Sequence, residues 1–256
     1  MAKSKFEYVR NFELDDQCLP NSWIVVRVDG KGFHKFTSDH DYEKPNDKRG
    51  LGLMSFAATA VMNEFKDICL GYGQSDEYSF VFRKDSQVYN RRASKLSTNV
   101  CSLFTSAFVY HWNQFFDDPK PKYPPVFDGR VVLYPSNKNM RDYLSWRQAD
   151  CHINNLYNTT FWMLVLKGGL NPNQAEERIR HTFAADKNEI LFSQFGINYN
   201  AEPELYRKGT TLMRKRVPYT NPETGFTRDK STIVETTCDI IGDQFWEENS
   251  FLLINE

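Results

Sequence analysis

The chain has 256 residues, 40% of them apolar and 15% aromatic, with 13 glycines and 11 prolines. Folding at this length buries about three-quarters of the chain's surface, so one large domain, or one with an elaborated half, holds a core without staples; a collagenous or largely disordered chain is excluded. The net charge of −1, from 32 basic and 33 acidic residues, points to no partner when taken whole.

Trp23–Val28 is a β-branched run between polar stretches and predicts a first strand. Gly30 and Gly32 break it, and after a polar stretch with Pro45 the spacing of Leu53, Met54, Ala57, Ala60, Val61 and Phe65 predicts a helix. Ile68–Tyr72 predicts a short strand, Gly73–Asp76 a turn, and Glu77–Arg83 a third strand in which Tyr78, Phe80 and Phe82 alternate with Ser79 and Val81. A long helix is expected from about Ser86 to Phe116, then a proline-rich loop, then a fourth strand over Phe127–Tyr134. From Asn139 onward the pattern is mostly helical: Asp142–Leu166, a helix capped by Asn171 with Pro172 at its first position, and Asp186–Phe195. Shorter strand-like pieces follow around Tyr206–Met213. After Pro218 the composition is that of a loop, although Phe245, Trp246, Phe251 and Leu252 predict that the tail docks on something.

The order strand, helix, strand, strand, helix, strand is the split βαβ of the ferredoxin-like fold, so the class is α+β. Three regions are expected: 1–136, a palm-like catalytic domain; 137–216, helical and basic, packed on it; and 217–256, an acidic tail. A right-handed crossover places the third strand between the first two and antiparallel to both. The end of the first strand, with Asp29, then lies beside the start of the third, with Asp76 and Glu77. These acids converge on one sheet edge from positions 47 residues apart.

Like charges held together repel unless a cation sits among them. Hard oxygen donors beside a glycine suit Mg²⁺, with positions left for water and phosphate oxygens, and two such ions can drive phosphoryl transfer. Gly30-Lys31-Gly32-Phe33-His34 offers backbone N–H groups to a triphosphate. Each residue alone has a plainer reading: Asp29-Gly30 is an ordinary turn dipeptide, Asp76 and Glu77 fit a solvated hairpin, and His34 and Ser75 fit structural roles. Their convergence favours a site.

The five cysteines are scattered and odd in number, which argues against a disulfide framework or zinc ribbon and for reduced core thiols. Lys3 and Lys5 precede acids with no apolar leader segment, and the longest apolar run, Phe161–Leu166, is too short to span a bilayer, so a soluble intracellular protein is expected. Charge is unevenly spread. Residues 217–256 hold eight acids, Glu223 and Glu256 among them, against Arg228 and Lys230. Arg83, Lys84, Arg91, Arg92 and Lys95 face only Asp85 in their stretch, and Arg207, Lys208, Arg214, Lys215 and Arg216 face no acid. Such clusters attract polyanions or form solvated faces.

Asp29-Gly-Lys-Gly-Phe-His34, Tyr72-Gly-Gln-Ser-Asp-Glu-Tyr78, Arg91-Arg-Ala-Ser-Lys95, Asp128-Gly-Arg130, Tyr143-Leu-Ser-Trp-Arg-Gln-Ala-Asp-Cys-His-Ile-Asn-Asn-Leu-Tyr-Asn158 and Tyr206-Arg-Lys-Gly209 together resemble the tRNA-His guanylyltransferase family, in its eukaryotic, fungal-like cytosolic form. The resemblance covers roughly residues 1–216. It implies a polymerase-type palm that uses ATP to adenylylate the 5′ phosphate of histidine tRNA, lets the 3′ hydroxyl of GTP attack it, and so adds one guanylate in the 3′–5′ direction. Two Mg²⁺ ions are implied on Asp29, the Gly30 carbonyl and Asp76; Glu77 is implied either as a ligand or as a support of the loop. The nucleotide would lie on Gly30–His34 and Ser75, with Lys44 and Asn46 at a second triphosphate. Contacts to tRNA are implied for Arg91, Arg92, Lys95, His152, Asn155, Asn158, Lys187, Arg207 and Lys208, in a homotetramer of the cytoplasm and also the nucleus. For the run His152–Asn158 two readings stay open, a packed polar network or an RNA-facing surface. The rivals are a cyclase-like palm enzyme, which needs no basic RNA-sized remainder, and a non-catalytic RNA-binding protein, which has no need of the acids.

Overall fold

Period-two alternation in six segments builds one antiparallel sheet in a computed structural model that describes residues 4–220, 222 and 224–253. Lys3, Glu223 and Glu256, which entered the charge reading, lie outside the described residues. Strands β1 (Trp23–Gly30), β2 (Ile68–Gln74), β3 (Glu77–Phe82), β4 (Phe127–Tyr134), β5 (Thr210–Thr220) and β6 (Thr227–Thr236) stand in the order β4-β1-β3-β2-β5-β6. The first four have the ferredoxin-like arrangement, with β3 between β1 and β2 and antiparallel to both.

The helices are α1 (Phe33–Asp39), α2 (Lys48–Glu64), α3 (Ala93–Tyr110), α4 (Asn137–Leu166), α5 (Pro172–Ile179), α6 (Ala184–Phe195), α7 (Glu204–Lys208) and α8 (Asp243–Glu248). Because side chains alternate across a strand, Ile24, Val26, Val28, Phe80 and Phe82 pack with Leu53, Val61, Leu96 and Phe104 of α2 and α3. Trp23, Val25, Tyr72 and Val81 face the other way, onto Met140, Tyr143 and Leu144 of α4. Phe245, Trp246 and Leu252 complete this second core, so the tail docks as expected, while Phe251 stays 46% exposed.

Four sequence expectations shift. The helix foreseen from Ser86 begins at Ala93, because Tyr89, Asn90 and Arg91 hold φ of 50°, 52° and 60°, left-handed values that cannot propagate a right-handed helix. α4 starts earlier than Asp142, at Asn137, where the Ser136 hydroxyl accepts from the Asn139 N–H at 3.1 Å. Tyr206–Met213 divides between α7 and the start of β5. The loop expected after Pro218 is instead the far end of a hairpin: beyond Met213, β5 pairs with β6 alone, so Pro218 lies in a stretch with one open side, where proline is tolerated. Asn171 caps α5 as expected, exchanging hydrogen bonds with Gln174. All five cysteines are unpaired, and among the described residues no helix is long and apolar enough to cross a membrane.

Candidate active site

β1 ends on Asp29-Gly30, and the β2–β3 turn carries Ser75 (φ 51°) and Asp76. The two are stitched together where the Gly30 N–H donates to the Asp76 carbonyl at 3.0 Å. A Cβ on Gly30 would lie 2.6 Å from the Phe33 ring and 3.0 Å from Asp76 Oδ2, so only glycine lets these segments approach so closely. Gly32 caps α1 at φ 62°, and behind it Phe33 is buried in the core while His34 stays exposed. Burial pushes the Asp76 carboxyl up to about 6, with Asp29 and Glu77 adding to the rise and hydrogen bonds to Ser75 and its own backbone opposing it. A half-buried acid beside other acids, next to a backbone carbonyl, is a hard-oxygen set suited to a divalent cation. Among the described residues no group of three or more His, Cys, Asp and Glu side chains is placed to hold a metal, so such an ion would rest on two carboxylates and a carbonyl.

Glu77 is placed differently from its neighbour. It sits opposite Asp29 in the β1–β3 register, on the face covered by α4, and Arg147 Nη1 donates to both its oxygens, at 3.1 and 3.3 Å. The two side chains are 10% and 6% exposed. Burial pushes the Glu77 carboxyl up, and the Arg147 charge opposes it. The structure thus gives Glu77 an internal ion pair and also places it, with Asp76, on the cavity lining, so both alternatives read from the sequence stand.

The edge opens on a cavity of about 590 Å³, within the range of small-ligand sites, lined by His34, Lys44, Asn46, Ser75, Asp76, Asn158 and Trp162. Lys44 donates to Thr37 Oγ1 at 3.2 Å and lies 5.6 Å over the Trp162 ring; burial depresses its ammonium. Asn46 donates to Asn155 Oδ1 at 2.9 Å, Asn155 donates to the Tyr199 hydroxyl at 2.9 Å, and that hydroxyl donates to the His152 carbonyl.

The residues expected at RNA divide. Arg91 is 2% exposed, and its guanidinium donates to the carbonyls of Cys18, Leu19, Ser22, Lys84 and Ser86, so it organises the interior and is withdrawn from the RNA-facing set. Lys187 is withdrawn likewise: 8% exposed, it donates to the Thr182 carbonyl and hydroxyl at 2.8 and 2.9 Å. Asn155 belongs to the buried chain just described, whereas His152 and Asn158 of the same run are exposed, so each reading of that run holds for part of it. Arg207 is brought close to His152: burial and then the Arg207 charge push the imidazole below its ordinary value. Lys208 pairs with Glu204 at 2.6 Å and Arg92 with Asp16 at 3.1 Å, while Lys95 is exposed 5.9 Å from the Tyr89 ring centroid.

The sequence reading missed the role of one face of α4. The hydroxyls of Tyr143 and Ser79 are 2.7 Å apart, Arg147 holds Glu77, Gln148 donates to the Lys208 and Cys238 carbonyls at 2.9 Å, and Asn155 holds Asn46. The signal was there in polar residues at 143, 147, 148 and 155, whose spacings of four and seven return to one side of a helix. Asp128 was missed too. It faces Asp29 from β4 and is paired with Arg130 at 2.9 Å.

A palm sheet whose first strand end, bearing an acid, is bonded to a turn that presents Asp76 and Glu77 to a cavity of nucleotide size is the architecture of a nucleotidyltransferase. Residues 6–135 match the family described as tRNAHis guanylyltransferase, and residues 138–242 match the Thg1 C terminal domain. A Schizosaccharomyces pombe tRNA(His) guanylyltransferase is 56% identical over 257 residues, 98% of each chain, and a probable tRNA(His) guanylyltransferase of mouse is 54% identical over 268 residues, all of this chain and 90% of that one. The crystal structure of the Saccharomyces cerevisiae tRNA(His) guanylyltransferase is similar at TM-score 0.77 and 49% identity, over 82% of this chain and 93% of that one. A bacterial tRNA(His) guanylyltransferase-like protein in complex with ATP shares the fold at TM-score 0.77 and 20% identity, over 98% of this chain and 100% of that one. The chain belongs to the tRNAHis guanylyltransferase family.

Proposed function

We propose that the protein adds one guanylate to the 5′ end of histidine tRNA. An oxygen of the tRNA 5′ phosphate attacks the α-phosphorus of ATP and releases pyrophosphate; the 3′ hydroxyl of GTP then attacks the activated 5′ phosphorus and releases AMP; pyrophosphate is finally removed from the added nucleotide. The observation that carries this reading is the Gly30 to Asp76 stitch, which joins the strand end bearing Asp29 to the turn whose Ser75, Asp76 and Glu77 line the cavity, in a chain of this family.

Asp29, the Gly30 carbonyl and Asp76 would hold two Mg²⁺ ions. Bound there, the ions supply activation of an attacking oxygen and neutralisation of the leaving phosphate. Within Gly30–His34 the N–H groups of Gly30 and Lys31 already donate to the Asp76 and Val126 carbonyls, so those of Gly32, Phe33 and His34 with Ser75 hold one triphosphate, and Lys44 and Asn46 hold the second, the lysine as a cation kept in place by Thr37. Glu77 and Arg147 keep the turn bearing Asp76 from moving. His152, Asn158 and Arg207, together with Lys208, Arg92 and Lys95, contact tRNA, which is longer than one such domain and reaches neighbouring subunits of a homotetramer. Region 1–136 performs the chemistry and 137–216 handles tRNA, in the cytoplasm and nucleus.

The test is incubation with 5′-monophosphorylated histidine tRNA, ATP and labelled GTP. One labelled guanylate per tRNA is expected with wild type and none with Asp76→Asn. Cyclisation of the triphosphate without tRNA would establish the cyclase reading instead, and tRNA binding without any addition the non-catalytic one.

A further inference from the structure

The β5–β6 hairpin projects past the last strand it shares with the palm, and its two faces differ in charge. From Met213, buried in the core under α4, alternate residues of β5 on that face are Lys215, Val217 and Tyr219. Opposite them in register stand Thr232, Lys230 and Arg228. This face therefore carries three cations and an aromatic ring with no acid. The other face holds Arg214 and Arg216 but also Asp229, and Arg214 is turned inward to the Met62 carbonyl. Arg228 and Lys230 are exposed, Tyr219 is 38% exposed, and Lys230 lies 5.0 Å from the Tyr219 ring centroid. Among the described residues, Lys215, Arg228 and Lys230 make no ion pair.

The strand that carries this face starts at the cavity: β5 follows α7 after Gly209, and Leu205, Tyr206, Gly209 and Thr210 line the cavity. From Thr210 to Tyr219 the strand runs nine residues at about 3.3 Å each, or roughly 30 Å. Lysines on an edge strand also guard against edge-to-edge pairing. That purpose does not sort charge by face, because it is served equally well from either side, and here the acid is confined to one side. Charges spread along a strip of this length match a linear polyanion better than a single anionic group, in a chain whose overall charge is only −1.

We propose that the Lys215, Arg228, Lys230 and Tyr219 face of the hairpin is a track for the sugar-phosphate backbone of a helical RNA stem whose end enters the cavity. The inference rests on the RNA substrate proposed above and adds a surface that the sequence motifs do not mark.

The experiment compares wild type with the triple variant Lys215→Gln, Arg228→Gln, Lys230→Gln and with the opposite-face control Arg216→Gln, measuring histidine tRNA binding across salt concentrations, GTP binding, guanylate addition and solution mass. The triple variant should flatten the slope of log affinity against log salt by about three, near one per lost phosphate contact, with GTP binding unchanged and the control close to wild type. A triple variant with the wild-type slope overturns the proposal, and one whose mass falls while its slope holds shows the face to be a contact between protein copies. If wild type binds tRNA and the triple variant loses slope but neither adds guanylate, the proposed activity fails and the RNA track stands.

Discussion

Replacing Arg147 by alanine removes the cation paired with Glu77 and leaves a carboxylate that is 10% exposed. Losing one partner of a buried ion pair costs about 3–5 kcal/mol, because the remaining charge must be neutralised or hydrated inside the protein. At about 2–4 °C per kcal/mol for a domain of this size, Tm should fall by roughly 10 °C in scanning calorimetry. The sign of the Glu77 shift explains why: burial already pushes this carboxyl up, and removing the opposing Arg147 charge lets it rise further. Replacing both partners with apolar residues, Glu77→Leu with Arg147→Met, should recover most of the loss, since a buried pair exchanged for packed apolar groups is often neutral. The double variant should also keep Mg²⁺-dependent GTP binding in isothermal calorimetry, whereas Asp76→Asn should lose it. A double variant with wild-type Tm that nonetheless binds no GTP in Mg²⁺ would make Glu77 a ligand and refute the assignment of Glu77 to the α4 side.

Asn155→Leu should strand the Asn46 amide and remove the donor to the Tyr199 hydroxyl, costing about 1–3 kcal/mol and raising the KM for nucleotide; His152→Ala, at an exposed side chain, should leave Tm unchanged in the same melt. For Asp47, burial pushes the carboxyl up but hydrogen bonds from Arg49 and the Glu43 and Arg49 N–H groups outweigh it, so its folded value lies below the ordinary 3.8. Its stabilisation is then present above that pH and lost as pH falls through the folded value, so the Tm gap between wild type and Asp47→Asn should be full at neutral pH and narrow in acid. A histidine anticodon grafted onto another tRNA should confer guanylate addition, and Arg207→Ala should weaken that response without altering GTP binding; addition indifferent to the anticodon speaks against recognition at the His152 and Arg207 surface.

The palm was legible because its strands alternate cleanly and its turns are marked by glycine, and the meeting of Asp29 with Asp76 followed from topology. The helix start at Ala93 was hidden because nothing in the local spacing announces three successive left-handed residues. Basic clusters read as surfaces misled at Arg91 and Lys187, since charge in a sequence carries no sign of the carbonyls that surround a buried cation. One distinction was available and unused: Asp76 falls in the predicted turn while Glu77 opens the strand, so the face of Glu77 is dictated by its strand position and that of Asp76 is not. The β6 strand was obscured by Pro218, which reads as a breaker until its place in a stretch with one open side is known.

The position of the label in the tRNA product tests the central claim most directly. After reaction with ATP and labelled GTP, complete nuclease digestion should recover the label in the 5′-terminal nucleotide alone, joined through its 3′ oxygen to the former 5′ phosphate, with an adenylylated 5′ end accumulating when GTP is withheld. Label recovered at the 3′ end, or addition that proceeds equally without ATP on a monophosphorylated end, would contradict the account.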